Sequence, residues 1–202
     1  MSKPSTKIDL IRHGEPEGGP AYRGFTDDPL SELGWGQMRE AVGDHHPWDV
    51  IVTSPLLRCA EFAREVAQRH NIPLETDDRF KEIFFGPWEG KTAAEIAAED
   101  NTALELFWSN PVENMPVGAE TMQQFQMRVI PAWDEMLSRH TGKHLLLVGH
   151  GGMMRLILSH LLEMPMHNMF RLNVKFAAIS RVQIDHHGDR AMPRLKFHSG
   201  IL

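Results

Sequence analysis

A chain of 202 residues and 23.0 kDa can bury one sizeable core and is short for two, so a single domain over 1–202 is expected. Hydrophobic residues at 42% and charged residues at 24% exclude disordered and fibrous classes. A formal charge of -6 and a pI near 6.0 argue against nucleic acid as a partner, because phosphate-backbone binding needs clustered excess Lys and Arg; any phosphate must be bound locally.

At the start of the chain, Met1 to Lys7 is polar. Ile8 to Ile11 is far too short for a signal-peptide core or membrane span, so a cytoplasmic protein with no membrane partner is expected. Lys7 to Ile11 predicts a strand that empties into Arg12-His13-Gly14, and the Gly/Pro cluster from Pro16 to Pro20 stops regular structure. Asp49 to Thr53 predicts a second strand. Ser54-Pro55 then turns the chain into a helix on which Leu56, Ala60, Ala63 and Ala67 recur at helical spacing.

Thr121 through Leu137 places Met122, Phe125, Val129, Trp133 and Met136 on one helical face, with Pro131 expected to kink or split the helix. His144 to Val148 predicts a third strand. Gly149-His150-Gly151-Gly152 connects it to a helix from Met153 to Leu162 that is apolar on nearly every side and fits the core. The same helix leaves homodimerisation open. Ala177 to Ile184 and Arg194 to Phe197 read as strands around a turn at His187-Gly188-Asp189. Buried strands separated by helices predict an α/β three-layer sandwich, with a mainly parallel sheet and helices on both faces.

In such sheets ligands gather beyond the carboxyl ends of the strands, which here supply Arg12-His13, Arg58 and His150. Phosphoryl transfer needs an aligned nucleophile and fixed positive charge around the equatorial oxygens. Two arginines and a second histidine meet that need, and Arg12 beside a neutral His13 would depress the imidazole pKa. Taken singly, each residue has a blander reading. A histidine after a strand is usually a hydrogen-bonded loop residue, and Arg58 alone would be a helix-surface ion-pair partner.

The ordered set Leu10-Ile11-Arg12-His13-Gly14-Glu15, Ser54-Pro55-Leu56-Leu57-Arg58-Cys59-Ala60 and Val148-Gly149-His150-Gly151-Gly152 resembles the histidine phosphatase superfamily, the phosphoglycerate-mutase-like phosphatases, over essentially the whole chain. The resemblance implies that His13 is phosphorylated, that Arg12, Arg58 and His150 complete the phosphate pocket, and that no cofactor is needed. It also puts Glu82, in Phe80-Lys81-Glu82-Ile83-Phe84-Phe85, where relatives carry the acid that protonates the leaving group. Ile83, Phe84, Phe85 and Trp88 are candidates to desolvate Glu82. The alternative for Glu82 is a surface pair with Lys81.

More narrowly, Tyr22-Arg23-Gly24-Phe25-Thr26-Asp27-Asp28-Pro29-Leu30-Ser31 and Glu82 to Gly90 resemble the α-ribazole phosphatase branch, which implies a small-molecule phosphomonoester of cobalamin assembly as substrate. Broad-specificity phosphatases share these phrases. Phosphoglycerate mutases fit less well, because between Gly90 and Gln126 the only basic residue is Lys91 while Glu95, Glu99, Asp100, Glu105, Glu113 and Glu120 make the stretch acidic. A helical, lid-like segment at about 87–120 carries Phe107, Trp108 and Met115, which either cover an apolar leaving group or simply pack.

Arg23, Gly24 and Gly151 are further candidate substrate contacts; Arg23 could instead pair with Asp27 or Asp28, and Gly151 could only allow the turn. Pro16 stands where many relatives carry a hydroxyl residue. No metal is expected: the twelve histidines show no His-Glu-x-x-His and no ligand-spaced cluster, with His45-His46 and Asp185-His186-His187 read as solvated pairs in turns. Cys59, the only cysteine, excludes an internal disulfide, fits a reducing compartment and reads as a small buried residue. A noncatalytic phospho-ligand-binding module is the competing reading from another class.

Overall fold

The computed structural model describes residues 5–187, 190–200 and 202. Its sheet is built from β1 (Thr6–Arg12), β2 (Val50–Thr53), β3 (Leu74–Thr76), β4 (His144–Gly149), β5 (Ile179–His187) and β6 (Arg190–Gly200), in the order β3-β2-β4-β1-β5-β6. The pairings of β3 with β2, β2 with β4 and β4 with β1 are parallel; β5 runs antiparallel to both β1 and β6. The mainly parallel sheet is therefore present, with an antiparallel edge.

Alternation along the central strands sends side chains to two cores. Ile8, Leu10, Val52, Leu145 and Leu147 pack with Phe125, Val129 and Trp133 of α4 (Met122–Arg139) and with Met153 and Ile157 of α5 (Gly151–Leu161). On the other face, Ile11, Ile51, Leu146 and Val148 pack with Met38 of α1 (Glu32–Val42) and with Cys59, Phe62 and Val66 of α2 (Leu57–His70). Helices cover both faces of the sheet, as expected. Met153, Met154, Leu156, Ile157 and Leu158 of α5 are buried in the core, while Leu162, just past the helix, is exposed.

Between β3 and α4 the chain forms a 3-10 turn at Asp78–Phe80, another at Gly86–Trp88, and α3 (Ala93–Ser109), which is broken at Asp100 (φ -155, ψ 89). The Thr92 hydroxyl and the Glu95 carboxylate cap α3 reciprocally.

Three expectations need correction. Pro131 does not split α4, which runs through it from Met122 to Arg139. The carbonyl four residues earlier that loses its donor belongs to Met127, which is 76% exposed, so water can supply the bond while Val129, Ala132 and Trp133 hold the helix to the core. The Asp185-His186-His187 run belongs to strand β5 rather than to a turn; His186 Nε2 lies 2.8 Å from Thr6 Oγ1. β5 (Ile179–His187) starts and ends later than the predicted Ala177 to Ile184, β6 extends beyond both predicted limits, and the Gly188-Asp189 part of the predicted turn lies outside the described residues. Among the described residues, no helix is long and apolar enough to cross a membrane.

Candidate active site

The parallel register sets Arg12 opposite Gly149 and Thr53 opposite Val148, so His13, Ser54 and His150 leave the sheet together at one edge. The His13 main-chain N–H donates to the Gly149 carbonyl at 2.9 Å, extending the ladder by one residue. The two imidazole rings meet edge to face with centroids 5.3 Å apart. Gly14 is required here, since a Cβ would stand 2.3 Å from the Gly34 carbonyl oxygen.

His13 is 5% exposed, and its Nδ1 lies 2.7 Å from the Gly14 carbonyl oxygen. A carbonyl can only accept, so Nδ1 carries the proton and Nε2 keeps its lone pair. Burial, followed by the charges of Arg58 and Arg12, holds the His13 pKa well below its ordinary value. The imidazole is thus neutral and nucleophilic at Nε2.

Arg12 donates from Nη1 to the Val174 carbonyl at 2.7 Å and lies 4.1 Å from the Phe176 ring centre. Burial, then the charge of Arg155, lowers its pKa to about 10, which leaves it a cation at neutral pH. Arg58 is fully buried rather than on the helix surface, and its Nη groups donate to the carbonyls of Thr26 (2.7 Å), Gly24 (2.9 Å) and Arg23 (3.3 Å). Arg12 and Arg58 each retain a buried Nε–H with no acceptor among the described residues. An unmade bond of this kind costs about 1–3 kcal/mol and marks a place where an anion would be stabilising.

His150, also fully buried, has Nε2 2.8 Å from Ser54 Oγ, and burial followed by the Arg58 charge holds its pKa well below the ordinary value. The Cys59 thiol donates to the Gly149 carbonyl at 3.4 Å beneath the two histidines, with burial pushing its pKa up to about 12.

Glu82 does not pair with Lys81, whose amine bonds Asp78 instead. It is 8% exposed and sits at the N-terminus of α5, where Oε2 accepts from Gly152 N–H (2.8 Å) and Oε1 from Met153 N–H (3.2 Å) and Ile83 N–H (3.0 Å). The main-chain donors at the helix end fix the Glu82 carboxyl group in place on the cavity wall. Of the expected apolar neighbours, Ile83 and Phe85 share a cavity with Glu82; Phe84 packs on Phe25, and Trp88 on Tyr22 and Phe107.

That cavity measures about 340 Å³. Arg12, His13, Arg23, Glu82 and Arg155 are its charged and polar lining residues, while Tyr22, Phe85, Phe107, Trp108, Phe125, Phe170 and Phe176 give it aromatic walls. Phe107 is buried and also packs structurally; Trp108 is 50% exposed, and Met115 joins them on the wall. Arg58 and His150 do not line the cavity. Arg23 does, and it also makes the predicted ion pair to Asp28 at 2.5 Å. Gly24 does not line it: a Cβ there would fall 2.0 Å from the Ile83 carbonyl oxygen and 2.4 Å from Glu89, so this glycine serves close packing rather than substrate contact.

The sequence reading missed Arg155, which lines the cavity one turn into α5, and Phe170 and Phe176 on the connection to β5. It also missed Glu89, whose carboxylate accepts from the N–H groups of Gly24, Phe25, Thr26 and Phe85 and so joins the Arg23 loop to the Glu82 loop.

Residues 8–194 match the model of the histidine phosphatase superfamily (branch 1). The chain belongs to that superfamily. Members related to this histidine phosphatase include the adenosylcobalamin/alpha-ribazole phosphatase of Salmonella typhimurium, 28% identical over 182 residues, covering 88% of this chain and 90% of the relative. The glucosyl-3-phosphoglycerate phosphatase of Mycolicibacterium vanbaalenii is 29% identical over 174 residues, covering 80% and 76%. The crystal structure of the alpha-ribazole phosphatase from Shigella flexneri superposes with a TM-score of 0.77 at 26% identity, covering 96% of this chain and 98% of that one. The protein is an enzyme, a phosphoric monoester hydrolase, with the phosphoglycerate-mutase-like fold.

Proposed function

We propose that the enzyme hydrolyses phosphomonoesters in two steps through a phosphorylated His13. The observation that carries this reading is the neutral His13 ring, with Nδ1 bonded to the Gly14 carbonyl and Nε2 unpaired beside Arg12 on the cavity wall. Nε2 attacks phosphorus and the ester P–O bond breaks. Glu82, in its protonated form, gives its proton to the departing oxygen. Water then attacks the phosphohistidine, Glu82 takes a proton from it, and orthophosphate leaves. Arg12 binds phosphoryl oxygens; Arg58 and His150 support the transferring group from behind His13, Arg58 chiefly through its charge.

For the substrate, the reading supported best is the 5′-phosphate of an α-ribazole-type nucleoside or a corrinoid nucleotide-loop phosphate. Seven aromatic rings around a cavity of about 340 Å³ suit a flat heteroaromatic alcohol better than a glycerate. A broad-specificity phosphatase is the second reading, favoured by relatives that carry different substrate names at comparable identity. Cytoplasmic location and independence from a metal belong to this same proposal.

The test is phosphate release from α-ribazole 5′-phosphate, 3-phosphoglycerate and p-nitrophenyl phosphate, with chelator present and His13→Ala as control. Turnover that survives chelator, disappears in H13A and prefers the ribazole ester is the expected result. Equal release by H13A would sink the mechanism, and indifference among the three esters would favour broad specificity.

A further inference from the structure

Arg23 and Arg155 are the charged cavity residues to which the mechanism above gives no task; Arg23 is paired with Asp28, which leaves Arg155. The Arg155 Nε–H donates to the Leu172 carbonyl at 2.9 Å, and its guanidinium lies 5.6 Å from the Phe170 ring centre, which together fix the plane of the fork. Nη1 is 3.0 Å from the point that a Cβ on Gly151 would occupy. The unpartnered Nε of Arg12 is 3.2 Å from the same point.

Two guanidinium groups thus border one gap, at the N-terminus of an eleven-residue helix, and the glycine keeps the gap open. Among the described residues no carboxylate forms an ion pair with Arg155. The opposite charge that acts on it is Glu82, whose oxygens are already held by three main-chain N–H groups. Buried like charges that share a gap repel strongly in low dielectric, and after burial Arg155 is the main cause of the lowered Arg12 pKa. An anion with several oxygens relieves that repulsion and satisfies the Arg12 donor at once.

We propose that Arg155 is a phosphate-binding residue: its Nη1–H and the Arg12 Nε–H hold oxygens of the same phosphoryl group in the gap above Gly151. This rests on the phosphohistidine reading and adds a third guanidinium to it. Arg155 then acts on the group common to every substrate and contributes nothing to the choice of leaving alcohol.

The experiment measures inhibition by orthophosphate and orthovanadate for wild type, Arg155→Met, Arg155→Lys and Gly151→Ala. Turnover of p-nitrophenyl phosphate and α-ribazole 5′-phosphate and acid-quenched phosphoenzyme are followed alongside. R155M is expected to weaken both anions roughly 10- to 100-fold and to lower kcat/KM for both esters by similar factors, with R155K intermediate. G151A, which leaves both charges and the Leu172 bond in place, is expected to weaken both anions as well; if R155M fails to fold, G151A decides.

Anion binding within about two-fold of wild type in R155M, or in G151A where R155M does not fold, overturns the proposal. So does a defect confined to one ester with anion binding intact. Failure of the underlying reading is separately visible as a wild-type enzyme that turns over without forming phosphoenzyme.

Discussion

Arg128 donates from Nη2 to the main-chain carbonyl of Glu82 at 2.8 Å, so a side chain of α4 holds the peptide that carries the carboxylate. The same guanidinium donates from Nη1 to the carbonyls of Arg79 and Lys81, both at 2.7 Å, and forms a forked pair with Glu120 at 2.7 and 2.8 Å. Glu120 in turn accepts from Phe84 N–H at 3.2 Å. The loop on both sides of Glu82 is pinned from one point. Arg128→Met is expected to lower kcat by about 10- to 100-fold with little change in KM, because small displacement of an acid–base group slows the chemical step more than it weakens binding. It should also cost about 1–3 kcal/mol of stability by removing the cation that pairs with the largely buried Glu120. Steady-state kinetics and thermal denaturation of the same variant separate the two effects, and an unchanged kcat would remove Arg128 from the positioning role.

The lowered pKa of His13 fixes a sign for the pH profile. Burial, then Arg58 and Arg12, favours the neutral ring, so as pH falls through 6.5 the nucleophile stays unprotonated. The acid limb of kcat/KM that belongs to His13 is expected below 6.5. A phosphomonoester ionises near pH 6 itself, so the profile of Arg58→Met is needed for comparison. Removing that cation should move the limb to higher pH. A limb that does not move when Arg58 is removed would show that the substrate, and not His13, governs it.

The strands that carry the site were legible because each is a short apolar run, and the residues that follow such runs stand where an α/β sheet gathers ligands. Arg12, His13 and His150 were found this way. β3, three half-buried or exposed residues at Leu74–Thr76, is too short for a period to register. Arg128 and Arg155 were invisible for another reason: each is a single polar position on a helix packed against the core, and its main-chain partners lie outside that helix. The position of Glu82 followed from resemblance alone. Its seat on the N-terminus of α5 joins residues about seventy apart, and no local pattern encodes that. For α3 a local signal existed in Thr92-Ala93-Ala94-Glu95, the capping box that opens it.

A second buried charge cluster lies away from the cavity. Asp9 on β1 is fully buried and accepts from Trp48 Nε1 at 2.8 Å and from Arg181 at 2.7 and 3.0 Å, with His144 Nε2 2.9 Å away. Burial alone would raise its pKa, but the hydrogen bonds from His144, Arg181 and Trp48 outweigh it and bring the value down to about 2. A depressed carboxylate pKa stabilises the fold above the unfolded value of 3.8, and that contribution is lost as pH falls toward 2. Asp9→Asn is therefore expected to cost about 2 kcal/mol near neutral pH, with the gap to wild type closing below pH 3.8. Urea unfolding of the pair at several pH values reads this directly; a gap independent of pH would assign the loss to packing instead.

Trp108 and Phe107 are adjacent on α3 and both line the cavity, yet they should fail differently when truncated. Phe107 is 1% exposed and packs against Trp88 at 5.3 Å and Phe170 at 5.3 Å between ring centres, so Phe107→Ala opens a hole and is expected to cost about 3–5 kcal/mol of stability. Trp108 is half exposed, 4.8 Å from Phe170 and 6.4 Å from Tyr22, and little of the fold depends on it. Trp108→Ala is expected to leave the melting temperature nearly unchanged. A ring that contacts the leaving alcohol contributes about 0.5–1.5 kcal/mol by stacking, which predicts a loss of about 2- to 10-fold in kcat/KM for α-ribazole 5′-phosphate. For 3-phosphoglycerate, which offers nothing to stack on, no loss is expected. The ratio of the two specificity constants is the quantity to measure; if it is the same in W108A and wild type, the aromatic wall does not select the substrate.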